Sequence, residues 1–166
     1  MDQAAFSETQ RFTQVWAWII LITSIIITIV FLVRFIRTER AKNINPIIYL
    51  IFLLPLGFGI LFFTMKLETH IDENGISYRF FPFRMKESKI DWDSVEKVYV
   101  RDYNPTKEYG GWGIRGTNNN AAVNVAGHEG LQIIFKNGKK LLIGTQKPEQ
   151  IQKLINEYSR KHIVNT

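Results

Sequence analysis

The chain has 166 residues and a formal net charge of +6, with 21 Lys and Arg against 15 Asp and Glu, and no cysteine. The missing thiol excludes disulfides, thiolate metal sites and a cysteine nucleophile. From Leu67 onward 15 cations face 12 anions, a balance of about +3 that is spread rather than clustered, which does not suit a nucleic-acid-binding face.

Residues 1–14 (MDQAAFSETQRFTQ) read as a polar N-terminal segment carrying Phe6 and Phe12. Two uncharged apolar stretches follow, Val15–Val33 and Ile47–Met65, of 19 residues each. At about 1.5 Å per residue each helix would cover roughly 28–29 Å, close to the hydrocarbon thickness of a bilayer. Neither has the polar back of a soluble core helix. The expectation is a two-pass transmembrane hairpin over 15–65, with helices at about 15–36 and 46–65 and the protein in the cell membrane. Trp16 and Trp18 fall at the first boundary, where indole rings sit at headgroup level, and Arg34 and Arg37 fall at the other end. The start is acidic and the apolar run is long for a secretory leader, so the segment is expected to stay as an anchor. Ser24 and Thr28, with Thr23 beside them, either bond their own helix's carbonyls or mark the face packed on the second helix. Pro55 with Gly57 and Gly59 should loosen the second helix. Neither helix holds an ionisable residue, which speaks against a channel or transporter.

Between the helices Arg34, Arg37, Arg40 and Lys42 face Glu39 alone. By the positive-inside rule this loop is cytoplasmic and both termini are outside.

From Leu67 the pattern alternates, as half-buried strands do. Strands are expected at Leu67–Asp72, Ile76–Phe81, Arg84–Ile90, Glu96–Arg101, Ala121–Ala126, Leu131–Phe135 and Lys140–Ile143. Glu73-Asn74-Gly75 and Lys136-Asn137-Gly138 supply tight turns. Asp91 to Val95 reads as a single turn capped by Ser94 or Asp91. Asp102 to Gly116 is the least regular stretch, with Asn104-Pro105 starting a turn and three glycines around Trp112. The glycines lack the lysine of a phosphate loop and the spacing of a dinucleotide site. Pro148, Glu149, and then Ile151, Leu154, Ile155 and Tyr158 at helical spacing predict a C-terminal amphipathic helix that covers the sheet.

About seven antiparallel strands, a turn after the third and a closing helix resemble the pleckstrin-homology-like (PH-like) fold. Ile90-Asp91-Trp92-Asp93-Ser94-Val95 is similar to a step of bacterial PH-like domains, and Lys139–Ile151 looks like their last strand and helix start. The whole chain resembles a family of small uncharacterised bacterial two-pass membrane proteins. The shared motifs are Glu8, Gln10, Phe12, Gln14 and Trp16, then Tyr109 to Arg115 (YGGWGIR), then Gly144 to Glu149 (GTQKPE). The resemblance implies an α-helical transmembrane hairpin followed by an α+β PH-like domain over 67–163, a partly open barrel capped by the helix. It implies no known activity and a cytoplasmic domain, which is opposite to the charge rule.

His70, His128 and His162 lie far apart and have no metal-binding spacing. Asp72/Glu73 and Asp91/Asp93 flank turns, where carboxylates cap backbone groups. No serine sits in a nucleophile elbow. No catalytic residue, metal site or cofactor is therefore expected. Lys107, Tyr109, Trp112 and Arg115 are the candidate binding residues. They form either an adaptable loop offering cations and aromatics to a lipid headgroup or protein segment, or a twisted hairpin whose Trp112 plugs the barrel. In Phe80-Phe81-Pro82-Phe83 the three rings cannot all point inward, so Phe81 and Phe83 are candidate membrane-interface residues with Trp16, Trp18, Arg34 and Arg37. The expected function is a membrane-anchored binding or scaffold module, without catalysis, that engages a protein partner or itself. The alternative is direct binding of anionic lipid headgroups, against which the hairpin after Leu67 counts: only Arg79 stands near its turn, opposed by Asp72 and Glu73.

Overall fold

The computed structural model describes residues 6–12, 14–37 and 46–163, and the side chains of all of these but 46–52 and 159–163. Glu39, Arg40 and Lys42 of the inter-helix loop lie outside the described residues, as do the side chains of Arg160, Lys161 and His162. The chain divides into two units. Thr13–Thr64 forms one, and Met1–Phe12 together with Met65–Thr166 forms the other.

The first unit is helical, with α1 over Val15–Ile36 and α2 over Pro46–Thr64. None of α1 is buried, and it is long and apolar enough to cross a membrane. The described side chains of α2, Leu53–Thr64, continue the apolar character over a shorter run. The helices pack through Trp18, whose ring meets Phe62 and Phe63 edge-on at 5.5 and 6.4 Å. Gly59 gives the close approach, since a Cβ there would stand 3.7 Å from Leu21 and Ile25. Ser24 donates to the Leu21 carbonyl at 2.7 Å and Thr28 to that of Ser24 at 2.8 Å, so both hydroxyls bond their own helix. Pro55 is accommodated within α2.

The second unit is built on two sheets. One has β1 (Phe6–Arg11), β2 (Lys66–Ile71), β3 (Gly75–Phe81) and β4 (Arg84–Asp91) in sequence order, every pair antiparallel. The other takes β5 (Val95–Asp102), β6 (Gly113–Thr117), β7 (Asn120–Asn124), β8 (Glu129–Phe135) and β9 (Lys140–Gly144) in the order β5-β8-β9-β7-β6. Its pairs are antiparallel except β7 with β9, which is parallel. Where a partly open barrel of about seven antiparallel strands is expected, the described residues form nine strands in two sheets of four and five, with one parallel pair.

The two additional strands are β1 and β6. Residues 6–11, expected as a polar lead, are a strand of the sheet unit. Phe6, Glu8 and Gln10 turn inward while Ser7, Thr9 and Arg11 face out. The buried polar side chains find partners at the start of the C-terminal helix. Glu8 accepts from Thr145 Oγ1 at 2.7 Å and from the Gln146 N–H at 2.8 Å, and Gln10 Nε2 donates to the Gly144 carbonyl at 2.6 Å. The other addition is β6, which pairs with β7 as a hairpin carried on β9.

The remaining turns follow local chemistry. Asp72 accepts from the N–H groups of Asn74 and Gly75 at 2.8 and 3.0 Å. Gly75 is required there because a Cβ would lie 2.1 Å from the Ile90 carbonyl oxygen. Trp92–Ser94 is a single 3-10 turn without the expected side-chain cap: Ser94 Oγ instead donates to the Asp91 carbonyl at 2.7 Å. Trp92 stacks on Tyr158 of α4 (Pro148–Ile163) at 5.8 Å and donates to the Asp72 carbonyl at 3.0 Å.

Both sheets and α4 share one core. Leu67, Ile71, Ile76 and Phe80 from the first sheet meet Val123, Leu131, Ile133 and Ile143 from the second, closed by Ile151 and Ile155 of α4. Leu154, Val98 and Val100 pack against it, as the spacing predicts. Burying each large side chain contributes roughly 1.5–3 kcal/mol.

Candidate functional site

Strand register brings three chain ends together. Arg11, at the end of β1, pairs with Lys66 at the start of β2, and Lys66 pairs with Phe81 at the end of β3. The chain thus leaves the sheet unit for the helices, and returns from them, on neighbouring strands. Phe81-Pro82-Phe83 turns at this same end of the sheet. Phe81 is half-buried, whereas Phe83 is 60 % exposed and stacks on buried Phe80 at 6.0 Å.

The second component comes from the stretch expected to be irregular. It contains a short helix, α3 (Pro105–Tyr109). Asn104 caps it by accepting from the Lys107 N–H at 2.9 Å, Pro105 takes the first turn, and Gly110 closes it in the left-handed region at φ 75°. Tyr109 is buried. Its hydroxyl accepts from Arg101 at 3.2 Å and donates to Asn120 Oδ1 at 3.4 Å, and its ring meets Tyr103 edge-on at 6.0 Å. Arg101 also reaches Glu108 at 2.8 Å and Gln132 at 3.0 Å. Burial works to lower the Arg101 guanidinium, but the Glu108 carboxylate outweighs it and holds it above its usual range. The hydrogen bond from Arg101 in turn holds Glu108 below the carboxylate range. Burial pushes Tyr103 up to about 12, although Asn124 donates to its hydroxyl at 2.9 Å.

Beyond α3 the chain enters β6 and makes two hydrogen bonds to side chain and backbone. The Gly113 N–H donates to Asn124 Oδ1 at 2.9 Å, and Arg115 Nε donates to the Trp112 carbonyl at 2.9 Å. Trp112 is half-buried and Arg115 exposed. Lys107 stands exposed on α3.

These two components meet. Met65, Phe80, Phe83, Trp112, Ile114 and Arg115 line a depression of about 260 Å³, with Gly113 in its wall. Trp112, Arg115 and Phe83, singled out in separate stretches of sequence, are neighbours there. Lys107, Tyr109 and Phe81 do not line it. Its floor is apolar, its rim carries one guanidinium, and no carboxylate or imidazole lines it. Its size is below the usual range of small-molecule sites, which suits one apolar side chain or a short length of acyl chain.

The cations of the first hairpin are engaged elsewhere. Lys66 and Arg79 both pair with Glu68. Burial works to raise the Glu68 carboxyl, but these two cations outweigh it and leave it below its usual range. A second, polar depression of about 270 Å³ lies by the Asp72 turn and includes His70, Glu87 and Asp91. Among the described residues no group of three or more such side chains is placed to hold a metal ion. In the helical unit Trp16 is exposed, and Arg34 and Arg37 close the C-terminal end of α1.

Comparison with family models, curated proteins and solved structures gives no match to this chain.

Proposed function

We propose that the protein is a membrane-anchored binding module, without catalysis, in which a two-pass helical hairpin carries a PH-like domain that engages a protein partner or a second copy at the bacterial membrane. The PH-like assignment rests on two antiparallel meanders, β1-β2-β3-β4 and β5-β8-β9, followed directly by α4. On this reading the hairpin is an insertion between β1 and β2, and α3, β6 and β7 are an insertion between β5 and β8.

The observation that carries the two-pass reading is the pairing of Arg11 with Lys66. A strand that precedes α1 lies beside a strand that follows α2, so both are on one side of any membrane that α1 crosses. The chain must then cross back, and α2, of 19 residues and about 28 Å, is the segment that does so. The binding reading is supported by what the polar side chains do: Glu8, Glu68, Arg101 and Glu108 are all engaged in holding strands and α3. The lipid-headgroup alternative is weakened by Glu68, which pairs with both Lys66 and Arg79 of the first hairpin and halves their charge.

Single cysteines test this cleanly, since the chain has none of its own. Exposed Ser7→Cys and Asn119→Cys should react with an impermeant maleimide from one side of the membrane, and Lys42→Cys from the other. Labelling of positions 7 and 119 from opposite sides refutes the two-pass reading. The side on which 119 labels also decides whether cytosolic or external partners are in reach. A photo-crosslinking residue at Lys107, on the exposed face of α3, should give a protein adduct or a self-adduct; adducts with anionic lipid alone favour the alternative.

A further inference from the structure

The depression is bordered by β6, whose outer edge the binding reading leaves unassigned. We infer that this edge takes up an extended segment of a protein partner as an added antiparallel strand, with an acidic residue set opposite Arg115 and the apolar residue that follows it set opposite Ile114. The inference rests on the protein-partner reading and names the class of segment that is engaged.

Among the described residues the two sheets have four edge strands, β1 and β4 in one and β5 and β6 in the other. An edge strand presents unpaired backbone groups, and charge, irregularity or a covering element normally guards it. β4 carries Arg84, Lys86 and Lys89 and has a register shift against β3. β5 is capped by α4, since Gln152 Oε1 accepts from the Val100 N–H at 3.4 Å. β1 exposes only polar side chains, those of Ser7, Thr9 and Arg11. β6 differs from all three. Its register with β7 is continuous, and every residue from Ile114 to Thr117 is exposed, the branched aliphatic Ile114 by 42 %.

The backbone is set for pairing. The Gly113 N–H points across to Asn124 of β7 at 2.9 Å, so strand alternation turns the N–H and C=O of Ile114 to the open side. A strand laid there exchanges both hydrogen bonds with Ile114. Charge then selects the occupant. A second copy laid antiparallel and centred on β6 sets Arg115 opposite its own counterpart, and like charges directly opposite destabilise a pair. Among the described residues Arg115 makes no ion pair: its Nε serves the Trp112 carbonyl, and the terminal NH2 groups are left for a carboxylate. The next side chain of the added strand falls on the face of Ile114, which borders the depression together with Met65, Phe80 and Phe83. An apolar side chain there gains the burial that the depression offers.

The test uses the full chain in nanodiscs of neutral lipid and reads the fluorescence anisotropy of two fluorescein-labelled threonine octapeptides. One has a central Asp-Leu pair and the other Lys-Leu. The Asp-Leu peptide should bind, and the Lys-Leu peptide should bind about tenfold more weakly. Arg115→Glu should exchange the two preferences. Methylating the leucine N–H of the peptide, which leaves the protein untouched, should abolish binding. Ile114→Pro should do the same by removing the outward N–H while the β6–β7 bonds stay in place. Circular dichroism checks that the proline variant folds; if it does not, the methylated peptide decides. Failure of the Asp-Leu peptide to bind the parent chain overturns the inference, as does equal binding of the two peptides or binding that survives methylation. Self-association of the parent chain that folded Ile114→Pro abolishes also overturns it and assigns the edge to a second copy. The adducts at Lys107 are read independently. Protein adducts there without peptide binding remove only the edge assignment; lipid adducts alone without peptide binding remove the protein-partner reading as well.

Discussion

Thr145 donates its hydroxyl to Glu8 Oε2 at 2.7 Å across 137 residues of sequence, and the next backbone N–H, of Gln146, donates to the other oxygen of the same carboxyl. One side chain on the strand that precedes α1 thereby ties down the turn that starts the last helix. Replacing Glu8 by Ala leaves the buried Thr145 hydroxyl and the part-buried Gln146 N–H without this acceptor, which costs about 1–3 kcal/mol. Thermal unfolding of the purified chain should show this loss for Glu8→Ala, while exposed Ser7→Ala on the same strand stays within about 0.5 kcal/mol of the parent. A fragment that begins at residue 67 should unfold more easily than either, because it lacks β1 altogether.

Tyr103 gives the alkaline counterpart. Burial raises its hydroxyl from 10 to about 12, so the folded state holds a proton that the unfolded state gives up first. Stability from this group is complete below pH 10 and is lost as the pH rises toward 12. Tyrosinate absorbance should show a late-titrating ring that vanishes in Tyr103→Phe. That variant should also be less stable at neutral pH by about 1–3 kcal/mol, since Asn124 Nδ2 loses its acceptor.

Glu68 sets the acid limit of the first sheet. Its folded value is depressed by Lys66 and Arg79 despite the opposing effect of burial. Its contribution is therefore present above the usual carboxylate range and fades as the pH falls through the lower folded value. Glu68→Gln should be less stable at neutral pH and should flatten the acid side of the profile, read as unfolding midpoint against pH. Equal acid dependence in the parent and the variant would remove Glu68 from this role.

Two glycines should respond oppositely to alanine. At Gly75 the added Cβ meets the Ile90 carbonyl oxygen at 2.1 Å, so β3 and β4 must part, whereas at Gly57 nothing stands within 4 Å. Gly75→Ala should lower the unfolding midpoint of the sheet unit. Gly57→Ala should keep it unchanged and raise helicity, because alanine is favoured over glycine in a helix by about 1 kcal/mol.

Strands with apolar inward faces are legible from sequence: β2, β3 and β4, the two glycine turns and the stripe of α4 stand where the pattern places them, although burial alternates cleanly only along β3. β1 is not, because its inward face is Phe6, Glu8 and Gln10. A period of two is present in Phe-Ser-Glu-Thr-Gln-Arg, but two of its three buried members, Glu8 and Gln10, are polar and bond groups more than 130 residues away. α3 was hidden by its length: five residues give no periodicity, and Asn104-Pro105 signals a helix start as well as it signals a turn. For the surface site, sequence supplies Trp112, Arg115 and Phe83 but not their grouping. Trp112 reaches Phe83 only because β6 and β7 ride on β9 through a parallel pairing, a long-range choice that no local pattern encodes. Tyr109 is buried in a cluster with Tyr103, Ala122 and Leu142, a grouping that only the folded second sheet supplies.

The position of β1 also has a consequence for how the protein is made. This strand leaves the ribosome before either helix, yet its pairing partner follows both. In the proposed two-pass arrangement, a chain whose second helix failed to insert would strand β1 across the bilayer from β2. Its sheet unit would then lack an edge strand and the acceptors for Thr145 and Gln146. In that arrangement, completion of the sheet would depend on insertion of both helices.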